Sequence, residues 1–145
     1  MLGSHCIRTW CASQQAFALS SAEAELYALV AASAEALAMQ AYAKDLGLDI
    51  QCELYCDSSA ALGITQRAGI GKVRHLRTQG LGVQEVRVAG RIKYLKDLGS
   101  KNPADLMTKH LARASVDKCM AQLNQHRSKG RAQASLEIQG RGKAN

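Results

Sequence analysis

The spacing of apolar and polar positions changes period along the chain, and each change marks an element. Residues 20–47, SSAEAELYALVAASAEALAMQAYAKDLG, are rich in Ala, Leu and Glu, which give up least on entering a helix. Ser20 and Glu23 stand at capping-box spacing at the front, and Gly47 stands where a helix stop belongs. Residues 50–56, IQCELYC, then alternate Ile50, Cys52, Leu54 and Cys56 with Gln51, Glu53 and Tyr55, the pattern of a half-buried strand. Asp57-Ser58-Ser59 begins a second helix that ends near Gly69-Ile70-Gly71. A third helix is expected over residues 73–89, carried by Val73, Leu76, Val83, Val86 and Val88 and weakened by Gly80 and Gly82. Gly90 turns the chain into a short strand at 91–95, RIKYL. Asn102 as cap and Pro103 at the first helical position start a further helix, and a last one covers 115–125. Ahead of all these, residues 5–19 carry Ile7, Trp10 and Phe17 without a helical stripe, which predicts a strand with ragged ends. The resulting order of strand, helix, strand, helix, helix, strand, helix predicts an α/β fold with at least one parallel strand pair.

Composition narrows this picture. The 145 residues leave room for one domain with a core, and a hydrophobic content of 47% argues against disorder. Only 4% is aromatic, so Ala, Leu and Val must fill the interior. No stretch approaches the roughly 20 apolar residues of a bilayer span, and the first residues lack the build of a secretory signal. An intracellular protein, cytoplasmic or nuclear, is expected. Five cysteines without CxxC spacing suit neither a zinc site nor a disulfide framework, and Cys52 and Cys56 read as small core residues on one strand face.

The formal charge is +7 and is uneven. From His126 onward Arg127, Lys129, Arg131, Arg141 and Lys143 oppose Glu137 alone, so this Gly-, Ser- and Gln-rich tail carries +4 and is expected to be disordered. A basic balance suits a polyanion such as nucleic acid, and equally a solubilising surface.

Three acids stand out, each with an innocent explanation beside the functional one. Glu25 shares a helical face with Leu29, Ala32 and Ala36, so it needs a partner or a metal unless it lies at the solvated edge of that face. Asp57 directly follows the alternating strand, at the carboxyl end where ligands gather in α/β sheets. It is also a good N-cap for the helix behind it. Asp105 falls in the first turn of its helix, where the dipole alone favours an acid.

Together these acids sit in three ordered segments: FALSSAEAELYAL (17–29), LYCDSSAAL (54–62) and NPADLMTKHL (102–111). Their sequence and order resemble the ribonuclease H domain of copia-type LTR retrotransposon Pol polyproteins. The intervening residues 73–95 resemble that family's helix-then-strand segment, with Arg74-His75 where the family usually has a Lys-His pair. The resemblance covers residues 1–111, followed by a helical extension at 112–126 and the basic tail at 127–145.

The resemblance implies an α/β, ribonuclease H-like mixed sheet flanked by helices, with four carboxylates holding two Mg²⁺ ions. Glu25, Asp57 and Asp105 match three of those acids, and Glu23 matches the capping position. Two hard cations about 4 Å apart require charged oxygen ligands to sit together and can drive in-line hydrolysis of a phosphodiester. The implied substrate is an RNA–DNA hybrid, recognised by shape and 2′-hydroxyls, and the reverse transcriptase part of the same polyprotein is an implied partner. Lys72, Arg74, His75 and Arg77, with Lys101 and Asn102 beside the third acid, are the candidate nucleic-acid contacts, against the alternative of a solvated face.

The family's first catalytic Asp, its first strand and most of its second have no counterpart here, and residues 5–19 align with its third. Impaired hydrolysis is therefore expected. Two other classes remain open: a non-catalytic nucleic-acid binder, and a small helical interaction protein whose acids are caps and surface charges.

Overall fold

The computed structural model describes residues 1–14, 17–69, 77–99, 102–127 and 130, with the backbone alone for 77–80 and 107. The chain divides into two compact units, Trp10–Asn102 and Met1–Thr9 with Pro103–Asn145.

In the first unit, helix α1 (Ser21–Asp45) forms as its end signals dictate. Ser20 Oγ accepts from the Glu23 amide at 3.2 Å, while the Glu23 carboxylate reaches back to the Leu19 amide at 2.9 Å. One of the helix's orphan amino-terminal donors, and the amide just ahead of the cap, are thus satisfied locally. At the other end Gly47 adopts φ +77°, and the Leu48 and Gly47 amides bond the Ala43 and Lys44 carbonyls at 2.9 Å each. This is a Schellman stop, in which the left-handed residue is a glycine because a Cβ is strained there.

Strand β1 (Cys52–Cys56) alternates in burial as its sequence does, and β2 (Ile92–Lys96) pairs with it in parallel, with Cys52 opposite Ile92 and Cys56 opposite Lys96. Helices α2 (Ser59–Gln66) and α3 (Arg77–Val88) connect the two strands. A parallel pair needs such a crossover, and the expected parallel pair is present. Leu26, Leu29, Cys56, Leu62, Ile64, Val83, Ile92 and Tyr94 form the core, drawn from all three helices and one sheet face. Leu26 and Ile92 are essentially inaccessible, and burying each contributes about 1.5–3 kcal/mol. The opposite sheet face is polar, with Lys93 paired to Glu53 at 3.6 Å and Tyr55 bonded to the same carboxylate.

Three contacts fix how α1 lies on the sheet. Gln40 Nε2 donates to the Arg91 carbonyl at 2.7 Å, at the amino end of β2. Ser33 and Tyr94 share a 2.9 Å hydroxyl–hydroxyl bond at mid-strand, and Glu25 lies near Cys56 at the carboxyl end of β1. The helix therefore runs antiparallel to both strands, with its amino-terminal turns at their carboxyl ends. A buried amide completes the unit: Gln84 donates to the Ile64 and Gly69 carbonyls at 2.7 and 2.9 Å and accepts from the Gly69 amide. No buried side-chain polar atom among the described residues lacks a partner.

Two expectations fail. Residues 5–14 and 17–19 contain no strand; a lone antiparallel bridge joins Leu2 to His5, and Ile7, Trp10, Phe17 and Leu19 are exposed. Strand-forming residues give a strand only when another strand takes their backbone bonds, and among the described residues none does so. In the second unit, α4 (Asp105–Thr108) is capped by Ala104 with no side-chain bond, so Asn102 does not cap it. Pro103 instead begins a tight turn, its carbonyl accepting from the Leu106 amide at 3.2 Å. Helix α5 (Arg113–Gln122) follows, with Asp117 paired to Arg113 and Arg127 on its surface. The last residues of the basic tail lie outside the described residues.

Candidate metal centre

The antiparallel course of α1 decides what meets at the carboxyl end of the sheet. Its second turn brings Glu25 there, and β1 delivers Cys56 and Asp57. A carboxylate oxygen of Glu25, the Cys56 sulfur and a carboxylate oxygen of Asp57 all lie within 4.8 Å of one another. Glu25 is exposed, Asp57 half-buried and Cys56 buried. Glu25 thus occupies the solvated edge of the helical face, while Glu23, two residues earlier, is the buried acid. The difference is in partners. Glu23 is held by the Leu19 amide and by the Tyr27 hydroxyl at 3.0 Å, a bond that raises the Tyr27 phenol above its ordinary 10.0. Neither Glu25 nor Asp57 receives a side-chain hydrogen bond or ion pair among the described residues.

Asp57 is also released from its innocent explanation. The residue capping α2 is Ser58, whose hydroxyl accepts from the Ala61 amide at 3.2 Å. Asp57 has no capping role and directs its carboxylate towards Glu25. Two carboxylates at this separation can contribute oxygens to one hard cation, for which Mg²⁺ takes ligands at about 2.1 Å and Ca²⁺ at about 2.4 Å. The sulfur is a different kind of donor. Burial pushes the Cys56 thiol above its ordinary 9.0, against the lowering effect of its Ser58 backbone contact, and the Glu25 and Asp57 charges push it further. The two carboxylates are hard oxygen donors, so the pair suits an oxygen-seeking cation.

The segment after β2 closes the other side of Asp57. The Asp97 amide bonds the Cys56 carbonyl at 3.0 Å, Lys96 Nζ donates to the Asp57 carbonyl, and a methyl group at Gly99 would lie 3.5 Å from Asp57 Oδ2. Sequence reasoning passed over Lys96. The signal was the strand end: β2 runs one residue further than expected, and parallel register sets that residue opposite Cys56.

The remaining candidates are placed less fully. Asp105 opens α4 in the second unit, where Lys109 grips its two oxygens at 2.9 and 3.0 Å. Lys72, Arg74, His75 and Lys101 lie outside the described residues, and Arg77 opens α3 with its backbone alone described. Asn102 is half-buried, with its amide directed to the Gly99 carbonyl at 3.5 Å. A hollow of about 370 Å³ lies at the amino end of the strands, lined by Gln40, Lys44, Asp49, Gln51 and Arg91 among others, and contains none of the candidate residues.

Comparison with known proteins adds one relationship. Over 115 residues, 78% of the chain, the sequence is 27% identical to a retrovirus-related Pol polyprotein from transposon TNT 1-94 of Nicotiana tabacum. The chain spans 9% of the length of that relative. No family model matches the chain, and no solved structure matches it. The similarity supports a retrotransposon-related Pol origin. No helix among the described residues is long and apolar enough to cross a membrane.

Proposed function

We propose that this chain is a ribonuclease H-like segment of a retrotransposon polyprotein that binds divalent cations, chiefly Mg²⁺, at Glu25 and Asp57 and acts on the RNA strand of RNA–DNA hybrids. The observation that carries the proposal is the meeting of those two carboxylates from separate elements, with no protein partner among the described residues to account for them. The similarity to a Pol polyprotein supports the polyprotein context, including the reverse transcriptase portion as a partner.

Each residue has a task in this reading. Glu25 and Asp57 supply the charged oxygens, and Asp105 is a third acid whose Lys109 pair must open before it can contribute. Lys72, Arg74, His75, Arg77, Lys101 and Asn102 are the proposed contacts to sugar and phosphate, which fix the hybrid without reading its sequence. A cation held there supplies positive charge that polarises a phosphodiester and activates water. Three acids fall short of the four that the resemblance implies, so turnover is expected to be orders of magnitude below that of a complete site.

The test mixes the purified chain with a labelled RNA–DNA hybrid and Mg²⁺. Slow cleavage of the RNA strand, dependent on Mg²⁺ and absent in Asp57→Asn and Glu25→Gln, is the expected result. Equal cleavage by both variants, or equal cation binding by them, would overturn the proposal. Salt-sensitive hybrid binding with no cleavage by any form would select a non-catalytic nucleic-acid binder, which the net charge of +7 also suits.

A further inference from the structure

The carboxyl end of β2 carries a cation of the protein's own beside the two carboxylates. Lys96 lies on the same sheet face as Ile92 and Tyr94, directly opposite Cys56 in the parallel register. Its ammonium donates to the main-chain carbonyl of Asp57, not to the carboxylate. The next residue, Asp97, takes the Cys56 carbonyl through its amide. Two consecutive carbonyls at the β1–α2 junction are thus held by two consecutive residues at the end of β2. Gly99 then brings the same segment against the Asp57 side chain.

Simple electrostatics assigns Lys96 the opposite role. An ammonium beside a cation site repels the incoming ion, so a lysine there without other use would weaken binding. The geometry points instead to a positioning role, resting on the reading of Glu25 and Asp57 as cation ligands: Lys96 clamps the Asp57 main chain and thereby holds its carboxylate at the Glu25 separation. Asp57 is the first residue beyond the strand, and Ser58 has already turned into the α2 cap. The peptide that joins Asp57 to Ser58 is held on both of its sides, the Ser58 amide by Cys56 Sγ at 3.4 Å and the Asp57 carbonyl by Lys96. Outer-sphere contacts of this kind typically change metal affinity about 10–100-fold. The clamp therefore outweighs the repulsion of one solvent-screened charge.

The two roles predict opposite signs, which makes the test decisive. Lys96→Met, Lys96→Arg and, as a control on the polar outer face, Lys93→Met are titrated with Mn²⁺ and followed by electron paramagnetic resonance. The expected result is about tenfold weaker binding in Lys96→Met, substantial recovery in Lys96→Arg, and no change in Lys93→Met. Unchanged or tighter binding in Lys96→Met would overturn the clamp. The ¹³C carbonyl shift of Asp57, measured without metal, provides a readout independent of the cation. It should move in Lys96→Met and not in Lys93→Met, and an unmoved shift overturns the clamp by itself. Failure of the wild-type chain to bind Mn²⁺ at all would count against the proposed function, with the carbonyl shift still deciding the role of Lys96.

Discussion

The two ends of the parallel strand pair are served by the same helix and use their polar side chains in opposite ways. At the amino end, Gln40 bonds the Ile50 and Arg91 carbonyls at 3.4 and 2.7 Å, and Gln51 bonds those of Gly90 and Arg91 at 3.3 Å each. Neutral amides there are committed to the protein's own backbone. At the carboxyl end the backbone is held by Asp97 and Lys96, while the carboxylates of Glu25 and Asp57 are left facing each other. A fold gains nothing from bringing two like charges together, since each raises the other's energy. Unpaired carboxylates at one end, against amide groups donating to backbone at the other, are the contrast on which the proposed cation site rests.

The bluntest way to break the comparison is to remove what both ends share. Leu26 is fully buried one residue after Glu25, and Leu26→Ala should cost about 2–5 kcal/mol through lost burial and a cavity. Urea denaturation should show a lower midpoint, and amide protection should fall at Leu54 and Tyr94 together. Survival of either strand's protection would mean that the two ends do not depend on one core.

Asp57→Asn separates the ends. With a cation at about 100 times its dissociation constant, binding should stabilise the wild-type chain by about 2.7 kcal/mol, and this increment should vanish in the variant. Metal-free stability should hold, because Asp57 makes no side-chain hydrogen bond or ion pair among the described residues. A drop in metal-free Tm would show that Asp57 is a structural acid after all. Gln40→Ala is the counterpart at the amino end. It should cost about 1 kcal/mol from the bonds lost to the Ile50 and Arg91 carbonyls, the second of which keeps Gln51, and leave the cation increment intact.

These contrasts also explain what the sequence disclosed. Helix α1 and strand β1 were legible because their signals are local: Ser20, Glu23 and Gly47 act within a turn of themselves, and the Cys52–Cys56 alternation needs only one covered face. Residues 5–19 misled because Ile7, Trp10 and Phe17 report suitability for a strand and say nothing about a partner. Asp57 and Ser58 compete for one cap, and spacing cannot tell which side chain turns to the Ala61 amide. The Glu25–Asp57 meeting was reached through family resemblance; no local signal encodes it, since it depends on α1 running antiparallel to β1. Lys96 was missed for the same reason: the strand end marked its place, and its meaning comes from register with Cys56.

The smallest expected effect concerns pH, and it runs along the sheet from Cys52 through Tyr94 to Cys56, whose thiol burial also raises. Burial holds the Cys52 thiol above its ordinary 9.0. Burial likewise holds the Tyr94 phenol above its ordinary 10.0, partly offset by its bond to Ser33. Both groups are neutral when protonated, so the folded chain keeps these protons at pH values where the unfolded chain has lost them. Unfolding then releases protons, and stability falls as pH rises. The contribution is complete below about pH 9 and declines above it, first through the two thiols Cys52 and Cys56 and then through Tyr94. Urea midpoints measured from pH 7 to 10.5 should stay level and then drop. Cys52→Ala should flatten the first part of that decline and Tyr94→Phe the second. An unchanged alkaline slope in both variants would remove the amino end and the middle of the sheet as its origin and leave Cys56 at the carboxyl end.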